Sequence, residues 1–135
     1  EYARIIASHE NLKVKKAVAN YNVSIPSDFE SLTDIGPTEW LAFLREASMV
    51  ITDSFHCCVF ATIFNIPFKV VCTNISLASR IVGLLEDLDL MKNFTTIDNI
   101  DMADMMIPEI NYVDVKKRLN QVIKRSCDFI DSALK

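Results

Sequence analysis

Met49-Val50-Ile51-Thr52-Asp53-Ser54-Phe55-His56-Cys57-Cys58-Val59-Phe60, MVITDSFHCCVF, is the stretch that decides the fold. Its first four residues suit a buried strand, and Asp53 and Ser54 are residue types that cap helices. An apolar run follows, with a single histidine inside it. A strand therefore hands over directly to a helix, and His56 sits in the first turn after the junction.

Working outward, the helix begun at Asp53 or Ser54 runs through Asn65 and is ended by Pro67. Phe68–Cys72 then reads as a second apolar strand. Upstream, Gly36-Pro37-Thr38-Glu39 opens another helix, with Pro37 suited to its first position and Glu39 near its positive end. Trp40, Leu41, Phe43, Leu44 and Ala47 form its apolar stripe. Residues 2–9 predict a helix. Leu12–Ala19 predicts a strand with Val14 and Val18 on one face, and 20–35, with Pro26 and Ser27-Asp28, a connecting loop.

Downstream, 79–89 predicts a helix with Ile81, Val82, Leu84, Leu85 and Leu88 turned inward, and Phe94–Ile97 a short edge strand. Residues 98–110 form a connector rich in Met and Asp. Residues 112–134 predict a long amphipathic helix with Val115, Leu119, Val122, Phe129 and Ile130 on its core side. Short apolar strands separated by helices predict an α/β fold: a three-layer unit with a mainly parallel sheet, one domain over 1–135.

Composition narrows the function. The 135 residues are 50% hydrophobic and 24% charged, as expected of a folded globular domain. The net charge of -4, with no cluster of basic residues, argues against nucleic acid as a partner. Cys57, Cys58, Cys72 and Cys127 lack metal-ligand spacing, and three of them lie in apolar runs. They read as small buried hydrophobes of a reducing compartment, with no metal site expected. Two glycines leave no room for the glycine-rich phosphate loops. No apolar run reaches membrane-spanning length, so the expected location is cytoplasmic, with the whole protein at most peripheral to a membrane. Because Glu1-Tyr2-Ala3-Arg4-Ile5-Ile6-Ala7 reads as the middle of a helix, the chain is expected to be part of a longer protein.

In an open parallel sheet, ligands bind beyond the carboxyl ends of the strands. Thr52-Asp53-Ser54-Phe55-His56 occupies such an end, where the first N–H groups of the next helix favour an anion. His56 adds a side-chain donor that can hold a phosphate or carboxylate, or pass a proton. The plainer readings are that His56 is a core or capping residue and that Asp53 and Ser54 are only caps. Asn74 and Arg80, which follow the next strand, reach the same crevice if the sheet is parallel; otherwise they are solvated surface groups. Trp40, Phe60 and Phe64 read as core.

Three segments carry a resemblance. Gly36-Pro37-Thr38-Glu39-Trp40-Leu41, Ala47 through His56, and Phe60 through Phe68 resemble the polysaccharide pyruvyl transferase family, which often shows GP-x-EFL, then A-x-x-VITDSFHG-x-x-FS, then PF. Ser79-Arg80-Ile81 with Leu84-Leu85 and Asp89-Leu90 looks like that family's R-x-x-x-LL-x-x-LGL segment. Arg125 through Leu134 is similar to its closing helix. The likeness spans about residues 36–134.

The resemblance implies one Rossmann-like half of a two-domain protein similar to GT-B glycosyltransferases, here the C-terminal half, with the cleft between the two Rossmann-like halves. It implies transfer of a pyruvyl ketal from phosphoenolpyruvate to sugar hydroxyls of bacterial surface glycans. The partners implied are that donor, a glycan or lipid-linked sugar acceptor, and the other domain; no cofactor is implied. The family histidine falls on His56, with the donor near the backbone of His56 and Cys57. Cys57 replaces the family's glycine, which is expected to place a side chain where backbone approaches ligand. Some members carry an arginine where Ser54 stands, which leaves Arg80, or an arginine of the other half, to grip the donor.

Two other readings are a sugar-nucleotide glycosyltransferase domain and a non-catalytic α/β interaction domain. The first would show a carboxylate pair or an arginine-lysine clamp. The second would show an apolar cleft side with no polar groups converging on His56.

Overall fold

A computed structural model describes residues 2–17, 26–73, 78–100, 106 and 108–134. In chain order the elements are α1 (Tyr2–His9), β1 (Lys15–Ala17), β2 (Glu30–Leu32), α2 (Pro37–Arg45), β3 (Val50–Thr52), α3 (Phe55–Phe64), β4 (Phe68–Cys72), α4 (Ser79–Leu88), β5 (Phe94–Thr96) and α5 (Tyr112–Ala133). Single 3-10 turns at Met91–Asn93 and Ile97–Asn99 flank β5.

β4 is the central strand of a three-stranded sheet of order β3-β4-β5. Both pairings are parallel, with Val50 opposite Phe68 and Val70 opposite Phe94. Strand alternation puts Phe68, Val70 and Cys72 on one face. All three are buried, and they cluster with Cys58 and Ala61 of α3, and with Ile81, Leu85 and Leu88 of α4. Phe68 and Leu85 are fully buried, each contributing about 2 kcal/mol of apolar transfer.

The same device ends both crossover helices. Asn65, at φ 58°, and Asp89, at φ 60°, take the left-handed conformation that Asn and Asp tolerate best after glycine. Ile66 N–H then returns to the Ala61 carbonyl at 2.9 Å and Leu90 N–H to the Leu85 carbonyl at 2.7 Å. Each turn buries the next apolar residue, Ile66 or Leu90. Chain reversal is thus built into Asn65 itself, and Pro67 only prevents the helix from resuming.

The expected α/β class, with parallel strands and a Rossmann-like arrangement, is what the structure shows. Three details differ. Glu30–Leu32, inside the stretch expected to be loop, forms β2 and pairs parallel with β1 as a separate two-stranded sheet. It is short, and its first two residues, Glu30 and Ser31, are polar and exposed, so no alternation marks it; a Lys15–Glu30 ion pair of 3.1 Å crosses the two strands.

Phe43, expected on the core side of α2, is 36% exposed, with Lys15 Nζ 5.4 Å from its ring centre. Phe129 and Ile130, expected in the core, are 72% and 53% exposed. The apolar stripe of α5 is continuous, but its last turns leave it exposed. Val115 is buried and Leu119 packs against the core. Arg118 and Arg125 pair with Asp89 and Asp87 at the end of α4, at 3.0 and 2.9 Å. α5 has 22 residues and α4 has 10, so α5 outruns the layer that it packs on. No helix among the described residues is long and apolar enough to cross a membrane.

Candidate functional site

The β3–α3 turn is built from two side-chain to main-chain contacts and one main-chain bond. Ser54 N–H donates to Thr52 Oγ1 at 3.0 Å, which bends the chain out of the strand. Ser54 is in the extended conformation of an N-cap, and its Oγ accepts from Cys57 N–H at 3.5 Å. Cys58 N–H closes the first helical bond to the Ser54 carbonyl at 3.1 Å. Phe55 and His56 are then the first-turn residues whose N–H groups have no acceptor within the helix. They lie at the carboxyl end of β3, where α3 presents its positive end.

His56 is exposed at this turn. Its ring meets the Phe55 ring edge-to-face, with centroids 5.8 Å apart at 78°. The Arg80 guanidinium carbon lies over the same Phe55 ring, 5.4 Å from its centre. The second residue of α4 is thereby brought to the first turn of α3, a contact between cation and ring worth about 0.5–1 kcal/mol at an exposed site. Arg4, Arg118 and Arg125 are all engaged with carboxylates, whereas Arg80 has no carboxylate partner among the described residues.

Cys57 corrects one expectation. Its side chain is buried and faces the core rather than the crevice. Burial raises its thiol pKa, and a hydrogen bond with the Thr52 side chain opposes that shift. Cys58 lies beneath Cys57, its thiol pushed up to about 12 by burial, and Cys72 at the end of β4 is raised for the same reason. The Asp53 carboxylate raises all three thiols further, which places it beside them at the strand ends. Asp53 is exposed.

Of the six residues singled out in the sequence, the structure gathers Asp53, Ser54, His56, Cys57 and Arg80 around one turn. Asn74 lies outside the described residues. Sequence reasoning missed two others. Phe55 and Thr52 had been placed in the strand-end stretch but given no role of their own. The serine two places after Thr52 was the available signal for the turn.

A cavity among the described residues lies away from this turn. It has a volume of about 310 Å³ and touches Ile6, His9, Met49, Pro67 and Tyr112, at the opposite ends of the strands from His56. Its histidine is occupied, His9 Nδ1 lying 3.0 Å from Glu10 Oε1. No group of three or more potential metal ligands is found among the described residues.

The family model of the polysaccharide pyruvyl transferases matches residues 1–71, more than half of the 135-residue chain. The chain belongs to this family. No curated protein and no solved structure matches it. Within this pyruvyl transferase domain, the match takes in α1, β1, β2 and α2, the whole β3–α3 turn with His56, and most of β4. Residues 1–35 had carried none of the motif likeness. Arg80 and the closing helix lie beyond the match, so their likeness to family segments stands on the motifs quoted above.

Proposed function

We propose that this chain is the C-terminal, donor-binding half of an enzyme that moves a pyruvyl group from phosphoenolpyruvate onto two hydroxyls of a sugar in a bacterial surface polysaccharide. In that reaction the methylene carbon of the enol takes a proton and becomes a methyl group. One sugar hydroxyl adds to the neighbouring carbon, and the second displaces phosphate from it, leaving a cyclic ketal. The donor carries a phosphate and a carboxylate, so its site must gather positive charge and N–H donors without a competing glycine-rich loop.

The observation that supports the reading is the capped first turn of α3, which carries His56, the residue that the motif likeness sets against the family histidine. The Phe55 and His56 N–H groups and the His56 imidazole offer donors to the phosphoryl oxygens, and Arg80 supplies the cation. In this scheme His56 steadies the charge that grows on phosphate as the carbon–oxygen bond breaks. The acceptor sugar and the opposite wall of the cleft belong to the other domain of the whole protein, which acts in the cytoplasm.

The test is calorimetric titration of the whole protein and its His56→Ala variant with phosphoenolpyruvate and with a nucleotide sugar. Binding of phosphoenolpyruvate that is lost in H56A, at unchanged melting temperature, supports the reading. Binding of the nucleotide sugar instead would favour the glycosyltransferase alternative. Binding of neither would favour the interaction domain.

A further inference from the structure

The Phe55 side chain has no place in the scheme above, which uses only its N–H, yet the ring touches both side chains that the scheme uses. The Arg80 guanidinium carbon lies 5.4 Å from its ring centre and the His56 ring centre 5.8 Å from it. His56 is the next residue on α3, whereas Arg80 comes from α4, across a crossover and a strand. Among the described residues, the phenyl ring is what holds the long Arg80 side chain at the α3 turn.

We propose that Phe55 is the positioning residue of the donor site, seating the Arg80 guanidinium beside His56 so that it takes the donor's carboxylate while the α3 turn takes the phosphate. The inference rests on the donor-binding reading given above. An arginine held over a ring face uses none of its five N–H donors for that contact, so they stay available to a carboxylate. A carboxylate pairing would instead have occupied them, as it does in Arg4, whose guanidinium grips Asp28 through two nitrogens. The ring also restricts the rotamers of Arg80 before ligand arrives, which lowers the ordering cost of binding. Division of labour follows: the turn binds any phosphate, and the Phe55–Arg80 pair selects a phosphate that also bears a carboxylate.

The experiment compares phosphoenolpyruvate with inorganic phosphate as probes, titrated into the whole protein and into its Phe55→Leu, Phe55→Tyr, Arg80→Gln and F55L/R80Q forms. For phosphoenolpyruvate, R80Q is expected to raise Kd about tenfold or more. F55L should raise it about fivefold, the double variant no more than R80Q alone, and F55Y should restore parent affinity. The Kd for inorganic phosphate should stay within about twofold in F55L.

Additive losses in the double variant, an equal loss for both probes in F55L, or no loss in F55L would overturn the inference while leaving the donor-binding reading in place. If the parent binds neither probe, that reading falls and takes the inference with it. A second measurement needs no variant to fold. In the ligand-free parent, the Arg80 side-chain protons should show an upfield ring-current shift in the NMR spectrum, and its absence overturns the inference as well.

Discussion

Lys69 Nζ donates to the Lys92 carbonyl at 3.2 Å from a side chain that is only 2% exposed. The bond ties the central strand β4 to the turn that starts β5, 23 residues later in the chain. Beside it, Asn93 Nδ2 donates to the Phe68 carbonyl at 2.8 Å, and Asn93 is wholly buried. Two polar side chains therefore fasten the entry ends of two parallel strands.

Lys69→Ala is expected to lose about 2–4 kcal/mol of stability, through the emptied volume and the loss of the donor to the Lys92 carbonyl. Lys69→Met keeps most of the packed stem and should lose clearly less. Urea denaturation of the two variants checks this. Equal losses would mean that packing of the stem contributes nothing.

The Lys69 finding marks the limit of what the sequence carried. Val50–Thr52 and Phe68–Cys72 were legible as strands because short apolar runs between caps and breakers have few alternatives, and the helix between them required parallel pairing. Lysine within such a run carries no signal of its own, since burial depends on a carbonyl supplied from a distant turn. β2 was illegible for the complementary reason: a polar strand paired on one side looks like loop. At the candidate site, the Ser54 cap and the place of His56 in the first turn of α3 were legible because the strand-to-helix junction is local in sequence. The contact of Arg80 with Phe55 was not, because it depends on where α4 starts relative to α3.

Arg4 grips Asp28 with two hydrogen bonds of 2.6 and 2.8 Å, and these hold the Asp28 carboxyl down to about 2, below its ordinary 3.8. The folded-state value is the lower one. The stabilisation is therefore complete above about 4 and lost as pH falls toward 2. The pair is on the surface, so its expected effect is local, a loosening of the 26–29 turn from α1 rather than global unfolding. The carboxyl carbon of Asp28, followed by NMR, should titrate near 2 in the parent and nearer 4 in Arg4→Gln.

Cys57, Cys58 and Cys72 are buried and Cys127 is exposed. In native protein one thiol should react promptly with a disulfide reagent at pH 8, and four after denaturation. Burial raises the three inner thiols above their ordinary 9, Cys58 to about 12. The unfolded chain then ionises first as pH rises. Stability is full below about 9 and declines from there toward 12, with the thiols contributing to the loss. Cys58→Ala should flatten that alkaline decline, and denaturation midpoints at pH 8 and pH 10.5 measure it.

α5 separates packing from exposure along one apolar stripe. Val115 is 4% exposed and Phe129 is 72% exposed. In this 135-residue chain, Val115→Ala should lose about 1–3 kcal/mol, whereas Phe129→Ala should stay within about 0.5 kcal/mol. Chemical denaturation of both variants decides it; a large loss in F129A would show that the last turns of α5 fold back onto the domain.

Ser54 gives the sharpest separation of fold from function, because its two roles answer differently to charge. As the N-cap of α3 it accepts from Cys57 N–H at 3.5 Å, a long bond, so Ser54→Ala should lose about 0.5–1 kcal/mol. Ser54→Asp supplies an equally good cap and a negative charge that suits the helix start, so its melting temperature should match or exceed the parent's. That same carboxylate stands where an anionic donor would meet the Phe55 and His56 N–H groups. S54D is therefore expected to weaken phosphoenolpyruvate binding by the whole protein more than tenfold, while S54A weakens it only slightly. Affinity that followed stability through both variants would instead make Ser54 a cap and nothing more, and would remove the α3 turn as the seat of the anion.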